Sequence, residues 1–117
     1  MGIRAFVAIF TLFIILLSGC VTTEKTENKE ISAREKCIEL CKAELKRGSD
    51  LSSGPCLSDN NPEWDVDGWV CDVAHWPRED VDNLRENQCD GWWEAKNAGK
   101  EVHFVEVTPE CKFIRAI

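Results

Sequence analysis

The sequence lacks most of the signatures that announce an activity. No stretch places a nucleophile, a base and oxyanion donors at a recognisable spacing, so nothing in it demands an enzyme. It has no basic stripe, and a formal net charge of −7 removes the electrostatic reason to bind nucleic acid. No C-x-x-C pair occurs, which argues against thioredoxin-like exchange. Beyond Cys37 and Cys41 the cysteines stand singly, which argues against zinc, whose ligands usually come in close pairs. No Asn-x-Ser/Thr sequon is present, and no cofactor is called for. The longest apolar run, Ala5 to Leu17 with Thr11 inside it, falls short of the ~20 residues of a spanning helix.

What the chain does have is cysteine, seven in all. The first, Cys20, ends Leu17-Ser18-Gly19-Cys20, after a start made positive by Arg4 and the apolar run. This arrangement resembles the lipobox of prokaryotic lipoproteins. The resemblance implies that residues 1–19 are a signal peptide and that Cys20 carries a lipid. Two or more acyl chains would hold the protein stably at the cell membrane, facing the extracytoplasmic side. The remaining six, Cys37, Cys41, Cys56, Cys71, Cys89 and Cys111, then read as disulfides, which persist outside the reducing cytosol. Six cysteines allow 15 pairings, and the residues do not choose among them.

The chain divides accordingly into the signal peptide 1–19, lipidated Cys20 with a flexible tether over 20–31, and a disulfide-stapled domain over 32–117. Val21 to Glu30 has little to bury and is expected to be disordered, with a reach of at most ~35 Å. Ser32-Ala33-Arg34-Glu35 has the capping-box pattern, predicting a helix from Ser32 to about Arg47 that stops at Gly48. On it Cys37, Leu40, Cys41 and Leu45 share one face, with Ile38 at the margin. Both cysteines should point inward, each towards a different distant partner.

Asp50 to Pro62 reads as loop, and Gly68 to Val73 as a strand with Trp69, Cys71 and Val73 on one face. Pro77 to Glu86 is turn-rich. Trp92–Lys96 and Glu101–Val107 flank Asn97-Ala98-Gly99-Lys100, which suggests a hairpin, and Cys111 to Ile114 a last edge strand. The expected fold class is α+β: one N-terminal helix packed on a small antiparallel sheet.

All five tryptophans, Trp64, Trp69, Trp76, Trp92 and Trp93, lie in one stretch, and the acidity concentrates there too. Between Asp59 and Glu94 only Arg78 and Arg85 oppose the carboxylates. Indole faces beside carboxylates suit a sugar ring or a cation, so the five form a candidate ligand face. The plainer alternative is core bulk beneath a solvated acidic surface.

Glu63, Asp65 and Asp67 before Gly68 resemble the opening of a calcium loop, but Ala74 stands where the closing Glu is required. Asp72, His75 and Arg78 are a weak acid–base set, against the plainer reading of local turn bonds.

The stretches Leu51–Cys56, Trp69–His75, Asn87–Cys89 and Phe104–Val107 are similar to those of small cysteine-rich exported proteins of archaea that have no known activity. That resemblance implies an address and a cysteine set, and no catalytic roles. The sequence thus points to an anchored module that binds at the cell surface, with a carbohydrate, a cation or an envelope protein as partner. The alternatives are a small hydrolase using Asp72, His75 and Arg78, or a structural envelope component.

Overall fold

The structure, a computed structural model, describes residues 20–117, with side chains from Lys25 onward. The expected signal peptide lies outside the described residues, and Cys20 is described only as a backbone position. The architecture is α+β: a long helix α1 (Cys20–Lys46), strand β1 (Trp69–Val73), a short helix α2 (Asp90–Asn97), and strands β2 (His103–Val107) and β3 (Phe113–Ala116). Two 3-10 turns, Asp80–Asn83 and Arg85–Asn87, lie between β1 and α2.

α1 carries the expected inward face. Cys37, Leu40 and Cys41 are buried, and Ala33 extends the stripe one turn back. Leu45, expected inward, is 43% exposed near the helix's end. That end has the bonds of a Schellman motif, with Ser49 N–H donating to Glu44 O at 3.0 Å and Gly48 N–H to Leu45 O at 3.0 Å. The beginning differs from expectation. The chain is already helical at Cys20, the first described residue, so Ser32 is an internal exposed residue rather than the cap, and the segment read as a tether is helical. Neither glycine nor proline interrupts residues 20–47. Once a packed segment nucleates a helix, each further residue adds a hydrogen bond at little cost.

The sheet has the order β1-β2-β3 and is mixed, not wholly antiparallel. β1 and β2 run parallel, in the register Trp69↔His103 to Val73↔Val107, while β2 and β3 are antiparallel. The expected hairpin is therefore corrected: Trp92–Lys96 lies in α2. The residues read as its turn instead end that helix. Gly99, at φ 69°, donates to Lys96 O at 3.0 Å and Lys100 N–H to Ala95 O at 2.9 Å. A left-handed glycine serves a tight hairpin and a helix stop equally well, so the sequence signal was ambiguous. A parallel pair needs a crossover connection, and residues 74–102 with α2 supply it.

Trp69, Cys71, Val73, Val105 and Val107 form the sheet face against α1. Cys37–Cys71 bonds the helix to β1, and Cys41–Cys111 bonds it to the turn between β2 and β3. The neighbouring cysteines of α1 thus reach different distant partners, as expected. Cys56–Cys89 ties the loop before β1 to the start of α2. Residues 55–57 also cover the outer edge of β1, through Leu57 N–H to Cys71 O at 2.8 Å and Val73 N–H to Pro55 O at 3.0 Å.

Candidate functional site

Alternation along the strands sends Val70 and Asp72 of β1, and Phe104 and Glu106 of β2, to the sheet face opposite α1. Asp72 pairs in register with Glu106, and Glu106 in turn with Arg115 of β3. A row of three ionisable side chains therefore crosses the sheet.

α2 lies over this face, held there from a distance. Its N-cap position, Cys89, offers no side-chain cap. Asp59 does so instead, accepting from Asp90 N–H at 2.6 Å and Gly91 N–H at 3.1 Å. Between α2 and the sheet is a cavity of about 170 Å³. Trp92, Trp93, Val70 and Phe104 give it apolar walls, and Asp72, Glu106, Arg78 and Gln88 its polar ones. Gln88 Oε1 fixes Trp93 by accepting its Nε1–H at 3.0 Å, and the two indoles meet edge to face with centroids 4.8 Å apart.

The two cavity acids are treated differently. Glu106 is 4% exposed and doubly paired: Arg78 Nη1 lies 3.3 Å from its Oε2 and Arg115 Nε 2.9 Å from its Oε1. Arg78 also donates to Asn83 Oδ1 at 2.8 Å and Asp82 O at 3.2 Å, which ties the 3-10 turn to the sheet. Asp72 Oδ1 is sealed from solvent and has no hydrogen-bond partner. Burial, reinforced by the Glu106 charge and only partly offset by Arg78, pushes the Asp72 carboxyl up to about 8. It is thus largely protonated at neutral pH, a carboxylic acid set in an aromatic wall.

The sequence-flagged residues fall into separate places. Asp72 and Arg78 meet at the cavity, while the His75 ring is held elsewhere, Nδ1 at 2.9 Å from Asp82 Oδ1 and Nε2 at 3.2 Å from Glu79 Oε2. The tryptophans do not share one face. Trp92 and Trp93 line the cavity, and Trp69 is buried against α1 with His103 stacked on it at 4.8 Å. Trp64 packs beside that core and donates to Trp69 O at 2.8 Å, while Trp76 is 70% exposed with Arg115 above its ring.

Glu63, Asp65 and Asp67 are exposed, and Asp65 pairs with Lys36 of α1. Among the described residues, one set of three groups brings potential metal-ligand atoms together, Cys56, Asp59 and Cys89, and its two sulfurs are bonded to each other.

Glu106 and Asp82 were not singled out from the sequence. The signal for Glu106 was available: a single acid between Val105 and Val107 in a strand must face away from the valines, onto whatever covers the other side. Asp82 had no comparable signal, because besides the His75 ring its partners are backbone N–H groups, those of His75 and Glu79.

Fold and site together define a small disulfide-stapled α+β domain with an acid- and tryptophan-lined cavity. No known family, curated protein or solved structure matches the chain.

Proposed function

We propose that the protein is a lipid-anchored extracytoplasmic binding module whose ligand enters the cavity between α2 and the sheet. The observation that carries this reading is the convergence there of Trp92 and Trp93 with Asp72, the cavity acid whose Oδ1 lacks a partner. A protonated carboxyl beside an aromatic edge-to-face pair is set to recognise a small molecule. Support for the compartment comes from the three disulfides, two of which hold the α1 core together.

Support for the anchor comes from the lipobox-like Leu17-Ser18-Gly19-Cys20. No helix among the described residues is long and apolar enough to cross a membrane. With Cys20 lipidated, the turns of α1 before Ala33 would form a short rigid stalk, and its described side chains from Lys25 to Ser32 are mostly exposed. From Cys20 to Ala33, the first buried residue among the described side chains, it would span ~20 Å at 1.5 Å per residue.

The test has two readouts. Membrane-extracted protein should show the mass of a diacylated chain beginning at Cys20, and Cys20→Ala should move it to the soluble fraction. Titration with a panel of small sugars and amines should shift the indole N–H resonances of Trp92 and Trp93 before those of Trp64. An unlipidated chain, or a panel that leaves both indoles unmoved, would overturn the proposal.

A further inference from the structure

Resting on the binding-module reading, we infer that the cavity takes a small organic cation, with Asp72 as its counter-ion and Trp92, Trp93 and Phe104 as its aromatic wall. Three observations lead there.

The first is charge. The two oxygens of Glu106 already face Arg78 and Arg115, whereas Asp72 Oδ1 has no donor and no water access. Arg78 and the Val73 N–H only partly offset an ionised Asp72, and a cation entering the cavity that Asp72 lines would supply the rest.

The second is the wall. Aromatic faces attract cations, and these indoles already do so with the chain's own: Lys96 Nζ lies 5.3 Å from the Trp92 ring centre and Arg85 Cζ 5.2 Å from that of Trp93. The third is size. About 170 Å³ is well under the ~300–1,000 Å³ of a drug-sized site, and suits a methylated ammonium ion.

A proton balance follows. The groups facing Asp72 are Glu106 on β2, with Arg115 behind it on β3, and Arg78 and Asp82 from the segment after β1; α2 contributes Trp92 and Trp93. Because Asp72 keeps its proton up to about pH 8, an entering cation must release that proton to solvent. Affinity should rise about tenfold per pH unit between pH 6 and 7 and level off above pH 8. A neutral ligand accepting a hydrogen bond from the protonated acid would show the opposite trend.

Choline is the probe, and 3,3-dimethyl-1-butanol, the same shape without charge, is its control. Calorimetry at pH 6, 7 and 9, with the indole N–H resonances followed in parallel, should show choline binding that tightens with pH. The alcohol should bind at least about tenfold more weakly. Asp72→Asn, which keeps the shape of the side chain, should weaken choline about tenfold or more and abolish the pH trend. Equal binding of the alcohol, binding that tightens as pH falls, or an unchanged Asp72→Asn variant would overturn the inference. A sugar that moves Trp92 and Trp93 where choline does not would overturn the cation and leave the binding module standing. Silence from every probe would remove both.

Discussion

Asp72 and Glu106 stand opposite each other in the parallel β1–β2 register, yet two guanidinium groups pair Glu106 while Asp72 keeps an oxygen with no partner. Two acids on adjacent strands have thus been given different environments by what lies beyond the strands. Arg115 arrives from β3 and Arg78 from the turn after β1, and both reach Glu106.

This asymmetry makes stability depend on pH with an unusual sign for a carboxyl. From about pH 4 the unfolded chain has released the Asp72 proton, whereas the folded chain holds it up to about pH 8. The folded state then binds more protons, so this group lowers stability as pH rises through that window, by up to ~1.4 kcal/mol per pH unit. Asp72→Asn should flatten the slope and raise the stability at pH 7. Urea unfolding at pH 5, 6 and 7 checks it, and a slope unchanged in the variant would refute the assignment.

Asp82 acts in the opposite sense. Burial would raise its carboxyl, but the N–H groups of Glu79 and His75, together with the His75 ring, hold it below its usual value. Its contribution is present above about pH 4 and is lost as pH falls through the lowered folded value. Asp82→Ala should cost about 1–2 kcal/mol at neutral pH by leaving the part-buried N–H groups of His75 and Glu79 unpaired. Its acid-unfolding limb should also be shallower than that of the parent.

Gly54 sits against the same carboxylate. At φ 71°, a Cβ there would lie 2.8 Å from Asp82 Oδ1 and 2.9 Å from Val73 O. The second contact is backbone and cannot swing aside. Gly54→Ala should therefore cost more than the ~1–2 kcal/mol of a left-handed residue alone. Thermal unfolding measures this; a loss under 1 kcal/mol would mean the loop shifts freely.

Asp59→Ala removes the remote cap of α2 and should lower stability by about 1 kcal/mol. It should also loosen Trp92 and Trp93, visible as faster amide exchange over residues 90–97 and a change in their fluorescence. Unchanged exchange there would show that the helix is held by packing alone.

Among the disulfides, Cys41–Cys111 spans 70 residues and Cys56–Cys89 spans 33. On the chain-entropy account, removing either by paired Ser substitution should cost ~2–5 kcal/mol, with the longer loop costing about 0.6 kcal/mol more. Comparing urea midpoints of the two double variants reads the order directly. The reverse order would show that native packing around Cys56–Cys89 outweighs loop length.

What could be read from residue order was local. Cys37, Leu40 and Cys41 recur at helical spacing, and they face inward because a helix has only one side to bury. Trp69, Cys71 and Val73 alternate, and they share the core face for the equivalent reason in a strand. Trp92–Lys96 misled because adjacent aromatics before a glycine fit a strand entering a turn as well as a helix reaching its cap, and Asp59, far away in sequence, decides between them. That residues 20–31 are helical was hidden for a related reason, since a polar segment shows no periodic face and extends only because the packed turns beyond it are already formed.

By itself, then, the sequence determined the compartment-compatible cysteine set, the inward face of α1, the two faces of β1 and the gathering of acids with indoles between Asp59 and Glu94. Only the tertiary structure decided that β1 runs parallel to β2, which cysteines join, and that Trp92 and Trp93 close over Asp72 while Trp69 and Trp76 go elsewhere. Periodicity is a property of neighbours a few residues apart. Partnership across a sheet or a disulfide, and the desolvation that sets one acid apart from the other, depends on which distant surfaces the folded chain brings into contact.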